Sequence, residues 1–400
     1  MPIDEALASV LESAVPVAET SRVPLSASSG RILGVSVTSA INVPPADNSA
    51  MDGYAMDAAD TDLVSGGTYR VSDRIPAGSR GQPLEAGTLV RIFTGGEIPP
   101  GANAVVMQEN TREAGTDRVA LLGKPEVGQN VREKGQDIRQ GQQILVAGKR
   151  LTPQDIGLLA SIGCDEVEVY RPLRVGILAT GNELVDPPKP LGPGQIYNSN
   201  RFSLASLVSN LGMEPCYFGT VQDTPEATRE ALAQAASSCD CLVSSGGVSV
   251  GEEDHVKAQV ESLGELQLWK IAIKPGKPLA FGSVLGKPFF GLPGNPVSAF
   301  VTFCLITRPY LLKQQGAVAL APESYLAPAD FDFQGGSRTE FLRVQVAPAM
   351  EGHQIRLYPN QGSGVMSSLS WANALAEVAI DQTVRRGDML PVYPLRALTG

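Results

Sequence analysis

The residues able to do chemistry cluster in a few short stretches. The most informative is Ser244-Ser245-Gly246-Gly247-Val248-Ser249-Val250-Gly251-Glu252-Glu253-Asp254, which follows the apolar segment DCLV. Glycines directly after a strand let successive backbone N–H groups point inward, and such a nest cradles a phosphate or similar oxyanion. Two other apolar segments end in acids: RVGILA runs into Thr180-Gly181-Asn182-Glu183, and PCYFGT into Val221-Gln222-Asp223. Together with Asp254 they offer three carboxylates beside an anion cradle. Carboxylates repel an oxyanion unless a cation lies between them, and magnesium suits that place, held by one or two carboxylates and by phosphate oxygens. The run WKIAIKPGKP adds Lys270, Lys274 and Lys277. Lys270 and Lys274 share one face if the run is extended, and a rigid basic cluster in an acidic chain suits an oxyanion. A last turn, Pro293-Gly294-Asn295-Pro296, follows KPFFGL. Taken singly, each stretch reads equally as a tight turn, a helix cap or a solvated loop.

These stretches act together only if the fold brings them to one rim. Residues 171–315 alternate between strand and helix patterns. Leu204, Leu207, Val208 and Leu211 keep helical spacing, Thr224 caps a helix with Pro225 in its first position, and PVSAFVTFCLI begins another. This alternation predicts a doubly wound parallel sheet, whose ligands bind beyond the carboxyl ends of its strands. Neither G-x-G-x-x-G nor G-x-x-x-x-G-K-[ST] follows a strand, which argues against dinucleotide and Walker-type sites.

The flanks differ. Ile3, Leu7, Val10 and Leu11 predict an opening helix that ends by Pro16. Residues 25–170 show short β-like pieces (TYRVS, TLVRIF, AVVMQE, VALLG, QILVAG), then a helix in which Thr152, Pro153 and Asp155 form a capping box. From about residue 322 the pattern is β again, which suggests a small barrel or sandwich.

Composition narrows the function. A net charge of −10 disfavours nucleic-acid binding. Two histidines and five cysteines without a C-x-x-C pair disfavour a zinc site, a disulfide scaffold and a serine–histidine triad. No apolar run approaches a membrane span, and the acidic start is unlike a signal peptide, so a cytoplasmic, membrane-free protein is expected.

The segments PPADNSAMDGYAMD, RIFTGGEIPPGANAVVMQE, REKGQDI, GILATGNELV, GQIYNSN, VSSGGVSVGEEDHVK, IAIKPGKPLAFG and GLPGNPVSAF occur in this order. On them the chain resembles the molybdopterin molybdenumtransferases, the MoeA-type family that includes the E domain of gephyrin. The resemblance implies a multidomain α/β plus β fold. Residues 1–20 would pack on a MogA-like α/β domain at 171–318. Residues 21–46 and 140–170 would form a linker and dimerisation domain, 47–139 a β-rich insertion, and 322–400 a C-terminal small β-barrel. It also implies a homodimer with its cleft between the α/β domain of one subunit and the β tail of the other. The implied reaction inserts molybdenum from molybdate into adenylylated molybdopterin, with Mg2+-dependent release of AMP.

By the resemblance, Asp52, Thr94, Asp137, Glu183, Asp223 and Asp254 match catalytic positions, and Glu183, Asp223 and Asp254 would serve the metal. Thr180, Ser244, Ser245, Gly246, Gly247, Ser249, Gly251, Lys270, Lys274, Lys277, Pro293, Asn295 and Pro296 would bind substrate or anion, with Arg343, Ser367 and Ser368 from the tail. Asn182 stands where many members carry aspartate. Alternative readings are the molybdopterin adenylyltransferase on the same α/β fold, which is also a candidate partner, and a non-catalytic scaffold of the gephyrin type. The additional β segments favour the transferase, and the retained acids argue against the scaffold.

Overall fold

A computed structural model of the chain describes residues 1–246, 255–349 and 352–400. Its centre is a six-stranded sheet in the order Glu214–Val221, Arg174–Thr180, Cys241–Ser245, Lys287–Leu292, Pro278–Val284, Gly264–Lys270. The first four strands are parallel. Val175, Ile177 and Val243 pack on the side of the helix Ser199–Asn210, with Leu204, Leu207 and Val208. Leu178 and Leu242 pack on the opposite side, with Leu232 and Ala235 of Pro225–Ser238 and Val256 and Val260 of His255–Leu263. The alternation of the strand residues thus covers both faces, as a doubly wound sheet requires.

The sheet departs from the all-parallel expectation near one edge, where Pro278–Val284 runs antiparallel to both of its neighbours, Lys287–Leu292 and Gly264–Lys270. The cause is local. Leu285 and Gly286 have φ of 48° and 78° between Val284 and its register partner Lys287, so a two-residue hairpin turn reverses the chain.

The caps read from sequence form. Thr224 accepts from the Ala227 N–H, and Thr152 and Asp155 exchange both capping-box bonds. The opening helix Ile3–Glu12 buries Ala6 and Val10 against the α/β core. Thr20–Pro24 pairs antiparallel with Glu166–Tyr170, which brings the chain back beside its own start. Between them a second six-stranded sheet is built from Ala104–Met107, Gly53–Met56, Leu89–Ile92, Thr68–Ile75, Arg118–Leu121 and Thr111–Glu113.

The tail closes on itself. Gly352–Leu357, Thr339–Ala349, Ala374–Val378, Met389–Pro394 and Tyr325–Pro328 pair in that order, and a bridge between Ala329 and Ile355 joins the ends. Leu342, Val344, Ile355, Ala376 and Val392 fill the interior.

The lysine run is not one extended strand. Gly264–Lys270 ends on the α/β sheet, whereas Ile273–Lys274 pairs parallel with Thr339–Glu340 of the tail. The chain bends between them because the Ile271 N–H bonds the Lys277 carbonyl at 2.8 Å and the Ala272 carbonyl accepts from Thr339 at 2.9 Å. Lys270 and Lys274 therefore belong to two different sheets and share no strand face. Among the described residues, no helix is long and apolar enough to cross a membrane.

Candidate functional site

The carboxyl ends of the parallel strands open into two adjoining cavities. One, of about 600 Å³, is lined by Thr180, Glu183, Ser245, Gly246, Asn295 and Pro296, together with Tyr197, Asn198 and Asn200. The other, of about 510 Å³, is lined by Gly246, Lys274, Lys277, Pro293, Asn295 and Ser298 from the α/β side, and by Arg338, Gln361, Gly362 and Ser363 from the tail. Gly246, Gly294 and Asn295 border both, so they form the ridge between two halves of one cleft.

Glycine is required at the ridge. Gly246 has φ of +87°, its N–H bonds the Leu292 carbonyl, and an added Cβ would lie 3.3 Å from the Thr180 carbonyl. Only a residue without a side chain combines that backbone with so close an approach. At the neighbouring strand end, a Cβ on Gly181 would meet the Glu183 carboxylate at 2.5 Å, so Gly181 lets that carboxylate fold back over the turn. The Asp223 N–H donates to Asn182 Oδ1 at 3.3 Å, which ties Asp223 to the turn carrying Glu183. Asp223 itself lines neither cavity. Ser244 is buried, with a hydroxyl that finds no partner among the described residues.

The cationic side is divided. Lys274 pairs with buried Glu340 at 3.0 Å. Lys277 lines the cavity without an ion pair among the described residues, and Arg338 lines it while donating to the Ile273 carbonyl at 3.0 Å. Lys270 lines neither half.

Arg343 and Ser368, expected to contact substrate, are both buried. Arg343 is 1% exposed, and its guanidinium donates to Ser368 Oγ, the Phe341 carbonyl and the Gly362 carbonyl. Burial pulls its pKa down to about 10. The helix Met366–Trp371 covers it, so its influence on the cleft passes through the loop it holds. Ser367 is exposed and shares a hydrogen bond with Tyr358 Oη at 3.2 Å.

Three predicted residues lie elsewhere. Asp52 accepts from the Thr94 N–H at 2.7 Å and from the Thr94 hydroxyl at 2.8 Å, which holds its carboxyl below the usual range. Asp137 is exposed, its N–H bonded to the Val43 carbonyl. None of the three lines either cavity. Gly247, Ser249, Gly251 and Asp254 lie outside the described residues. Within the chain, one half of the cleft is lined by both the α/β domain and the tail. Residues the sequence reading passed over, Arg338, Gln361 and Ser363, supply the tail's share. Their nearest signal was QGSG, just before the serines that were chosen.

The donor chemistry fits a hard divalent cation. The Glu183 and Asp223 carboxylates are oxygen donors without an ion pair among the described residues, on adjoining turns. The described residues include no group of three acids, histidines or cysteines arranged for a metal, so Glu183 and Asp223 would share the ion with substrate oxygens.

Three family profiles cover the chain: "MoeA N-terminal region (domain I and II)" matches residues 1–163, "Probable molybdopterin binding domain" 176–313, and "MoeA C-terminal region (domain IV)" 327–395. The molybdopterin molybdenumtransferase of Haemophilus influenzae is 38% identical, with 100% of both chains covered. That of Bacillus subtilis is 36% identical over 78% of this chain and 74% of its own. A solved molybdopterin biosynthesis MoeA protein from Pyrococcus horikoshii OT3 superposes with a TM-score of 0.85 at 30% identity, covering 98% of this chain and 99% of that one. With that geometry and these matches along its whole length, the chain belongs to the molybdopterin molybdenumtransferase family.

Proposed function

We propose that this enzyme inserts molybdenum from molybdate into adenylylated molybdopterin, with magnesium-dependent release of AMP. The observation that carries the reading is the ridge at Gly246, which puts a carboxylate-lined half and a cation-lined half of one cleft side by side. A nucleotide-bearing anion and an oxyanion can then be held together while their charges are kept apart.

The chain's own residues divide the work. Ser245 and Asn295, which line the carboxylate-bearing half, would hold non-bridging oxygens of the phosphoanhydride, and Asn295 would orient the group across the ridge. Lys277 and Arg338, with the Ser298 and Ser363 hydroxyls, would bind molybdate, because its oxygens need several fixed donors. Glu183 and Asp223 would hold magnesium, joined by Asp254. When bound, that ion supplies neutralisation of the charge that develops on the phosphoanhydride. Among the described residues no histidine or cysteine lines either half, and the scheme uses no covalent enzyme intermediate.

Asp52, Thr94 and Asp137 would act in a homodimer, where a second copy could bring them to this cleft. Domains at the boundaries given above, a cytoplasmic location and a handover from the adenylyltransferase complete the proposal. The test is incubation with adenylylated molybdopterin, molybdate and magnesium, following AMP and mature cofactor. Release of both, lost in Glu183→Gln, is expected. ATP consumption without molybdate would favour the adenylyltransferase reading, and binding without turnover would favour the scaffold.

A further inference from the structure

Away from the cleft, two thiols meet on the sheet face covered by the helix Pro225–Ser238. Cys216 is the register partner of Gly176 on the adjacent parallel strand, so the two residues project to the same face. A Cβ on Gly176 would lie 3.3 Å from the Sγ of Cys239, at the end of that helix. The missing side chain of Gly176 is what admits the Cys239 sulfur beside Cys216. Arg174, two residues before Gly176 and so on the same face, raises its own affinity for protons chiefly by facing the Cys216 sulfur. Cys216 is partly exposed and Cys239 is 3% exposed.

We propose that Cys216 and Cys239 form a dithiol modification site that a hydroperoxide oxidises to a disulfide. The Cys216 thiolate attacks the O–O bond of hydrogen peroxide. A sulfenic acid forms, and the leaving hydroxide takes a proton to become water. The Cys239 thiol then loses its proton and attacks the sulfenic sulfur, expelling a second water as the S–S bond forms. Two thiols give up two electrons and two protons, and one peroxide is reduced to two waters. The order follows from the surroundings: burial pushes the Cys239 thiol up to about 12, so it is the slower, resolving partner. Cys241 and Cys304 are fully buried, and each is far less accessible to peroxide than Cys216. The product would close residues 216–239 into a loop that carries Asp223.

The test treats the reduced full-length protein with stoichiometric hydrogen peroxide, quenches with N-ethylmaleimide and maps peptides without reductant. A Cys216–Cys239 linked peptide, the loss of two alkylated thiols and a thermal midpoint that rises and falls back on adding dithiothreitol are expected. Cys239→Ala should leave a sulfenic acid at Cys216 that dimedone traps. Oxidation that begins at Cys164, or a Cys216–Cys216 link between two molecules, overturns the proposal. So does wild-type protein that yields no Cys216–Cys239 peptide. None of these readouts depends on the cleft's activity, so failure here is separable from failure of the transferase reading.

Discussion

The Val297 N–H donates to the carbonyl of Ser363 at 3.0 Å, which joins the first turn of the helix Pro296–Thr302 to a loop of the tail barrel. That helix begins at the ridge of the cleft, and its cap residue Asn295 makes no side-chain cap bond, which leaves the Asn295 amide available to both cavities. An orphan N–H at a helix start is usually met by its own cap side chain. Here the tail meets one instead, so the position of the barrel and the shape of the cleft are linked.

Arg343 controls the other end of that loop. Its guanidinium holds the Gly362 carbonyl, and its backbone N–H donates to Gln361 Oε1 at 3.0 Å. Arg343→Ala should cost about 3 kcal/mol, since it empties a buried site and strands three acceptors. Arg343→Lys should restore little, because an ammonium cannot reproduce the fork. Urea unfolding midpoints measure both. If Arg343→Ala keeps wild-type stability while losing molybdate affinity, the side chain is a direct contact after all.

Gly246→Ala probes the ridge. The substitution combines a positive φ with a Cβ 3.3 Å from the Thr180 carbonyl, so a destabilisation of about 1–2 kcal/mol is expected. The loss of AMP release should be far larger, on the order of a hundredfold, because displacing the ridge misplaces groups in both halves of the cleft. Single-turnover rates compared with thermal melts separate the two effects, and a rate loss no greater than the loss of folded protein would refute the role.

The two cavity lysines should behave differently. Lys277→Ala removes a charge that has no ion-pair partner among the described residues, so it should weaken oxyanion binding and leave stability within about 0.5 kcal/mol. Lys274→Ala strands the buried Glu340 carboxylate and should cost about 1–3 kcal/mol. Molybdate titration by calorimetry alongside denaturant melts reads both; equal behaviour of the pair sinks the distinction.

That distinction also marks where sequence reasoning ends. The rim was legible because each strand of the α/β sheet is a local apolar run, and topology then fixes where its end must lie. Thr180, Glu183, Ser245, Gly246 and Asn295 meet for that reason. Lys274 was misplaced because Ile273–Lys274 joins the tail sheet by pairing with Thr339–Glu340, far along the chain, and no local pattern encodes such a register. Arg343 was misread because the alternation in EFLRV places it opposite the buried Leu342 and Val344, on a face that looks solvated until the helix Met366–Trp371 covers it. The antiparallel edge was hidden in Leu285-Gly286, a hairpin turn in which leucine takes a positive φ.

Asp240 offers a pH test of the α/β domain apart from the cleft. It sits just before the strand Cys241–Ser245 and receives Arg171 Nη1 and Nη2 at 2.7 and 2.8 Å, with the Arg174 N–H at 2.8 Å. Burial alone would raise its pKa, but these donors outweigh burial and hold it below the usual carboxylate range. A carboxyl whose folded pKa is depressed contributes stability that is fully present above its unfolded pKa of about 4. The contribution is lost as pH falls through the lower, folded value. Asp240→Asn should therefore cost about 3 kcal/mol at pH 7, where it leaves Arg171 largely uncompensated in a partly buried pair, with Glu19 as its remaining acid. The gap between wild type and variant should stay constant from pH 7 to about 5 and shrink below about 4. Urea midpoints at pH 7, 5 and 3 measure it, and a gap that widens towards acid would reverse the sign and with it the assignment of Arg171 as the dominant partner.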